Sequence, residues 1–167
     1  SGGEANSVAI RIARAATNRT KVAFCGYHGW HDWYLSANLK NKDNLSSHLL
    51  EGLSTKGVPK NLSGTSYPFK YNDFDGFYKL IKKNPEIGIV KMEVARNEMP
   101  RNNFLEKVRE ITNKKGIILI FDECTTGFRQ TYGGLHKLFK INPDMAIFGK
   151  ALGNGYAINA VLGKERI

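Results

Sequence analysis

The chain has 167 residues, 41% of them hydrophobic and 24% charged, and carries a formal net charge of +10 at neutral pH. That length suits one domain with one sizeable core, and the balance of apolar and charged residues excludes a disordered or fibrous chain. No apolar run reaches the roughly 18 to 20 residues that would cross a bilayer, and no signal or transit pattern opens the chain, so a cytoplasmic address is expected.

Apolar spacing changes its period along the chain. Residues 4–17 place Ala5, Val8, Ala9, Ile12 and Ala16 at helical spacing, with Glu4 in the first turn where the helix dipole favours an anion. "KVAFCG" predicts a strand, and "YHGWHDWYL" a loop entering a helix. Residues 36–68 are rich in Asn, Ser, Gly and Lys and are expected to make an excursion over the surface. "YPFKYND" is a short strand and "DFDGFYKLIKKN" an amphipathic helix. "IGIVKMEV" is a strand, "NNFLEKVREITNKKG" a helix closed by Gly116, and "IILIFDE" a strand apolar on both faces. "GGLHKLFK" reads as a short helix, "DMAIFGK" as a strand, and "NAVLGK" as a further candidate strand. Helices alternating with doubly buried strands predict an α/β fold, a mostly parallel sheet covered by helices on both faces.

Ligands of such sheets bind beyond the carboxyl ends of the strands. There the sequence puts Tyr27 and His28, Glu93, Asp122 with Glu123, and Lys150. The helix at 4–17 is expected to start at the same edge, where "SGG" leaves unpaired backbone N–H groups suited to a phosphate. Each piece has a plainer reading. "IILIFDE" alone fits the magnesium-binding strand of a P-loop NTPase, but no GxxxxGK[ST] string occurs, and in "FGKALGNG" the lysine precedes the glycines. His28, His31 and Asp32 could ligate a metal, yet the segment contains Gly29 and no third ligand is fixed; no metal is expected.

Basic residues are spread along the chain, and the "KK" pairs at 82–83 and 114–115 lie beside Asn, Pro or Gly, so a solvated face is the reading preferred over a nucleic-acid surface. Cys25 and Cys124 are far apart with no CxxC spacing, which leaves no basis for a disulfide or zinc site and predicts free thiols. The chain starts at Ser1 without an initiator methionine and stops at "GKERI", and is expected to be an internal piece of a longer protein. A lysine, a buried aspartate, an aromatic ring and a phosphate site together suit pyridoxal phosphate. Its aldehyde condenses with an amine, its phosphate sits at a helix N-terminus, and its ring nitrogen needs an anion.

The strings "SGGEANSVAIRIARA", "GYHGWHD", "LIFDECTTGFR", "YGGLHKLF" and "FGKALGNGY" resemble successive landmarks of the class III pyridoxal-phosphate aminotransferases, and point to the branch containing glutamate-1-semialdehyde aminomutase. The resemblance implies the fold type I large domain, with residues 1–167 as part of it and with an N-terminal segment and a small domain lying outside. It implies Lys150 as the Schiff-base lysine and Asp122 as partner of the pyridine nitrogen. Tyr27 would stack on the ring with His28 beside it, Cys124 would lie against the other ring face, and Gly2 and Gly3 would form the phosphate turn. The glycines at 149, 153 and 155 are expected where backbone approaches the cofactor. Gly3 departs from the hydroxyl residue usual in that turn, so weaker cofactor binding is expected. "MEVARNEMP" lacks the usual proline, and neither Asn97 nor Glu98 receives a role. The resemblance further implies a small-molecule amino donor, a carbonyl acceptor and a homodimer with shared active sites. It leaves transaminase and aminomutase both open. A non-catalytic relative with a basic nucleic-acid-binding surface, or a piece inert alone, is the alternative reading.

Overall fold

The computed structural model describes residues 1–48 and 52–167. Helix α1, Gly2–Thr17, is capped by Ser1, whose hydroxyl accepts from the Glu4 N–H at 3.4 Å. Strand β1, Lys21–Cys25, is followed by the single-turn helix α2, Asp32–Leu35. Then come β2, Ser66–Pro68, α3, Phe74–Lys83, and β3, Ile87–Glu93. The second half holds α4, Phe104–Lys114, β4, Ile118–Asp122, β5, Met145–Phe148, and β6, Ala160–Gly163.

The six strands form one sheet in the order β2-β1-β3-β4-β5-β6. All neighbouring pairs are parallel except β5 with β6. One face carries Val22, Phe24, Ile89, Ile118, Ile120 and Ile147 against α1. The other carries Ala23, Val90, Met92, Leu119 and Phe121 against Phe77 and Ile81 of α3 and Phe104, Leu105 and Val108 of α4. Burial on both sides explains why β3 and β4 are apolar at nearly every position.

Several expectations are corrected by the packing. The buried stripe of α1 is Ala5, Ala9, Ile10 and Ala13, whereas Val8 and Ile12 remain exposed. Alanine at Ala5, Ala9 and Ala13 lets the helix axis come close to the sheet, and of Val8, Ile10 and Ile12 only Ile10 faces inward. The excursion after α2 does more than cover surface. Its Ala37, Leu45 and Val58 join Trp33 and Tyr34 of α2 in the core under β1, and the Ser66 hydroxyl donates to the Trp33 carbonyl. Residues 49–51 of that excursion lie outside the described residues. The strand expected over 67–73 ends at Pro68, while the short helix expected at 133–140 is a 3-10 helix, Leu135–Phe139. Besides its own backbone bonds, that turn is held by the Glu123 carboxylate. Gly116, at φ +60°, ends α4 as expected, its left-handed backbone turning the chain into β4. No helix among the described residues is long and apolar enough to cross a membrane.

Candidate active site

Because β1, β3, β4 and β5 run in parallel, their carboxyl ends share one edge, and α1 begins there too. A cavity of about 400 Å³ lies at this edge, lined by Gly2, Gly3, Asn6, Tyr27, His28, Glu93, Arg96, Asp122, Cys124, Thr125, Lys150 and Asn159 among others. It brings together Gly2, Gly3, Tyr27, His28, Glu93, Asp122, Cys124 and Lys150 of the residues expected from the sequence. A second cavity of about 320 Å³ lies beside it, lined by Cys25, His48, Lys70, Tyr71 and Glu98, and shares Glu93 and Arg96 with the first. Lys150, Asp122 and the start of α1 belong to the first alone, so the chemistry is argued there.

Lys150 follows β5 on a backbone with φ +46°, a left-handed conformation that a residue with a side chain adopts at some cost. Its side chain is exposed, and Nζ donates to Thr125 Oγ1 at 2.9 Å. Thr125 comes from the loop after β4, a contact that nothing in the sequence announced.

Asp122 is buried at the end of β4. Its Oδ1 accepts the Cys124 N–H at 3.1 Å, and its Oδ2 lies 2.8 Å from His28 Nδ1 and 3.6 Å from Lys91 Nζ. Burial works to raise its pKa. The Lys91 charge and the His28 hydrogen bond outweigh burial and hold the carboxyl below the ordinary range, so Asp122 is an anion. His28 is fully buried, and its Nε2 faces the Cys25 carbonyl at 3.0 Å. Burial, and then the Lys91 charge, push its pKa down to about 4. With both ring nitrogens occupied in this way, His28 stands behind Asp122 as a support for the carboxylate.

Glu93, at the end of β3, is paired in register with Asp122 yet behaves oppositely. Burial raises its pKa, and the opposing Arg96 guanidinium, 3.4 Å away, is a third exposed and too weak to reverse that. Its Oε2 also accepts the Tyr27 N–H at 3.2 Å. The Tyr27 ring meets Tyr34 edge-on with centroids 5.9 Å apart, and the Arg96 guanidinium carbon lies 5.9 Å from its centre. Glu123, expected to serve the same edge, does not line the cavity. Its carboxylate is fully buried and taken up by His136 N–H and Nδ1 and by the Thr126 hydroxyl.

The start of α1 is held open by absent side chains. A Cβ on Gly3 would lie 3.0 Å from His31 Cδ2, and one on Gly29 would lie 2.8 Å from the Gly3 Cα. The departure at Gly3 therefore has a local reason, since the His31 ring already fills that space. The first-turn N–H groups of Gly2 and Gly3 have no acceptor within the helix. Beside them, Asn6 Oδ1 is buried without a hydrogen-bond partner. Gly149 is required by Asn159 Oδ1, with which a Cβ would overlap, and by Cys124 Sγ at 3.3 Å. Gly153 is likewise confined by the Tyr156 carbonyl, whereas nothing lies within 4 Å of a Cβ at Gly155, which serves a turn at φ +101°. Gly149 and Gly153 thus make room for the chain itself, and Gly155 for a turn. Cys124 is buried, and burial pushes its thiol up to about 12, so it offers an uncharged, compact wall.

An amine, an anion beside a buried histidine, an aromatic ring and a helix start with bare N–H groups fit pyridoxal phosphate, and the orphaned Asn6 oxygen adds an unused polar atom in the same cavity. The chain is 40% identical, over 98% of its length, to 3-aminobutyryl-CoA aminotransferase of Cloacimonas acidaminovorans, of which it covers 37%. It is 37% identical over its whole length to glutamate-1-semialdehyde 2,1-aminomutase of Methanobrevibacter smithii, of which it covers 40%. A transaminase solved with PLP bound superposes with a TM-score of 0.83 at 27% identity, over 99% of this chain and 39% of that one. The chain spans about two fifths of the length of the relatives it matches. The family model for class-III aminotransferases matches residues 1–167, and the chain belongs to that family.

Proposed function

We propose that the chain is the cofactor-binding part of a pyridoxal-phosphate-dependent aminotransferase, with residues 1–167 forming part of its large domain. The observation that carries this reading is the convergence of Lys150, Asp122, Tyr27 and the bare start of α1 on one cavity. When bound, pyridoxal phosphate supplies an aldehyde for amine exchange and a ring that takes up electrons from the substrate carbon. Lys150 Nζ would be the amine that binds the aldehyde and would carry the proton at the amine-bearing carbon of the substrate. Asp122, held as an anion by its own neighbours, would answer a positive ring nitrogen. Tyr27 and Cys124 would wall the ring, and the N–H groups of Gly2 and Gly3 would hold the phosphate. His28 orients Asp122 from behind, a supporting part, since its ring is wholly buried.

The substrates of this reading are a small-molecule amino donor and a carbonyl acceptor. The two relatives carry an aminotransferase name and an aminomutase name, so exchange between two molecules or within one are both compatible with these residues. A homodimer with shared active sites completes the cavity on this reading. A cytoplasmic location is consistent with two buried free cysteines. In the full-length protein incubated with pyridoxal phosphate, borohydride reduction followed by peptide mass spectrometry yields one labelled peptide, at Lys150. Labelling elsewhere, or none, overturns the assignment. Screening amines for conversion to the pyridoxamine form then identifies the donor.

A further inference from the structure

Lys91 occupies a place where the fold calls for an aliphatic side chain. It lies in mid-β3 on the face turned to α1, opposite Phe24 on one neighbouring strand and Ile120 on the other. It has no exposure, and its Nζ has no hydrogen-bond partner. The anion that answers it is Asp122, 3.6 Å away. A buried ammonium with no hydrogen bonds is tolerated only where an anion faces it, and removal of either member strands the other.

Asp122 is thereby divided among several groups. His28 Nδ1 and Lys91 both draw on Oδ2, and the Cys124 N–H draws on Oδ1. The Glu93 carboxylate stands beside it in register. What remains for a ligand in the cavity is a carboxylate already partly neutralised from within the core. A ring nitrogen held at Asp122 would gain its proton in the presence of a second cation on the same carboxylate.

Resting on the pyridoxal-phosphate reading above, we propose that Lys91 is a positioning residue acting through Asp122, keeping that carboxylate ionised before the cofactor binds and weakening its hold on a protonated ring nitrogen afterwards. The reaction then runs on a ring less fully protonated than Asp122 and His28 alone would impose. Burial lowers the Lys91 pKa and Asp122 opposes that, so the two groups are coupled.

The test uses the full-length protein and two cofactors, pyridoxal phosphate and its 1-deaza analogue, in which a C–H replaces the ring nitrogen. The ratio of their affinities reports how much the site gains from the ring nitrogen. Lys91→Met keeps the length and removes the charge, and raises that ratio about tenfold or more, since the cation removed lies 3.6 Å from Asp122, where an opposite charge shifts a carboxyl's proton affinity by at least about one unit. In an Asp122→Asn background the same substitution leaves the ratio unchanged. An equal ratio in wild type and K91M overturns the proposal. Should K91M fold poorly, Lys91→Leu replaces it. A second readout needs no cofactor: D122N lowers the urea midpoint by stranding Lys91, and D122N/K91M recovers most of the loss. Additive effects of the two substitutions refute the pairing. If no variant binds pyridoxal phosphate, the functional reading fails, while the urea cycle still decides whether Lys91 and Asp122 are coupled.

Discussion

Asp144 immediately precedes β5, at the end of the sheet remote from the cavity, and it ties four pieces of the fold together. Its Oδ2 accepts from Arg109 Nη1 at 2.9 Å and from the Leu119 N–H at 3.0 Å, and its Oδ1 from Lys164 Nζ at 3.1 Å and Arg166 Nη2 at 2.7 Å. Burial opposes the charge. The Leu119 N–H and the Arg109 and Lys164 side chains prevail, and bring the pKa from 3.8 down to about 2. A folded value below the unfolded one means stability that is fully present above pH ~4 and is lost as pH falls toward ~2. The difference corresponds to about 2.5 kcal/mol at neutral pH, an upper figure because Lys164 and Arg166 are exposed and screened. Roughly 1 kcal/mol of it disappears between pH 5 and pH 3. Urea unfolding of the full-length protein and of Asp144→Asn at pH 7, 5 and 3 measures this directly. The gap between the two is constant from pH 7 to 5 and narrows by about 1 kcal/mol at pH 3. A gap that stays the same at pH 3 refutes the claim that charge, rather than hydrogen-bond shape, makes Asp144 the tie between β4, β5 and β6.

Gly149→Ala puts a methyl group into Asn159 Oδ1 and against Cys124 Sγ, which destabilises by about 1–3 kcal/mol and lowers the visible absorbance of bound cofactor. Asn159→Ala in the same chain restores part of both, and a thermal melt with a spectrum reads them together. His136→Ala leaves the fully buried Glu123 carboxylate without its ring partner and lowers unfolding free energy by about 1–3 kcal/mol. Adding Glu123→Gln recovers much of that loss in urea denaturation, because no buried charge is then left uncompensated.

The architecture was legible because the sheet is buried on both sides. "IILIFDE" has no polar residue until its carboxyl end, and in "DMAIFGK" an unbroken apolar run lies between Asp144 and Lys150, so the strands are read directly from the two strings. What failed was any feature decided by contact distance. The α1 stripe of Ala5, Ala9 and Ala13 carries little hydrophobic weight, and only the close approach of helix to sheet shows that it faces inward instead of Val8 and Ile12. The excursion over 36–68 looks like surface by composition, yet Ala37, Leu45 and Val58 are buried in the α1-side core. In the site, chemistry-bearing residue types were visible, but the groups that touch them were not. Thr125 meets Lys150 through a loop, and Arg96 meets Tyr27 from the segment after β3, neither at a spacing that sequence fixes.

Glu93 and Asp122 show how far local environment governs such a pair. They end adjacent strands in register, both are buried, and burial alone would raise both pKa values. Asp122 faces a cation that is itself fully buried and a histidine that cannot reach solvent, so its charge is answered in a medium that screens little. Glu93 faces Arg96, whose guanidinium is partly in water, and also the unfavourable charge of Asp122. One carboxyl is therefore held as an anion and its neighbour is left inclined to keep a proton, a separation of the kind that assigns acid and base roles. Lys91 is the residue that separates them. Its mark in the sequence was a single lysine in the run "IGIVKME", which only the register of β3 with β4 turns from an anomaly into the counter-charge of Asp122.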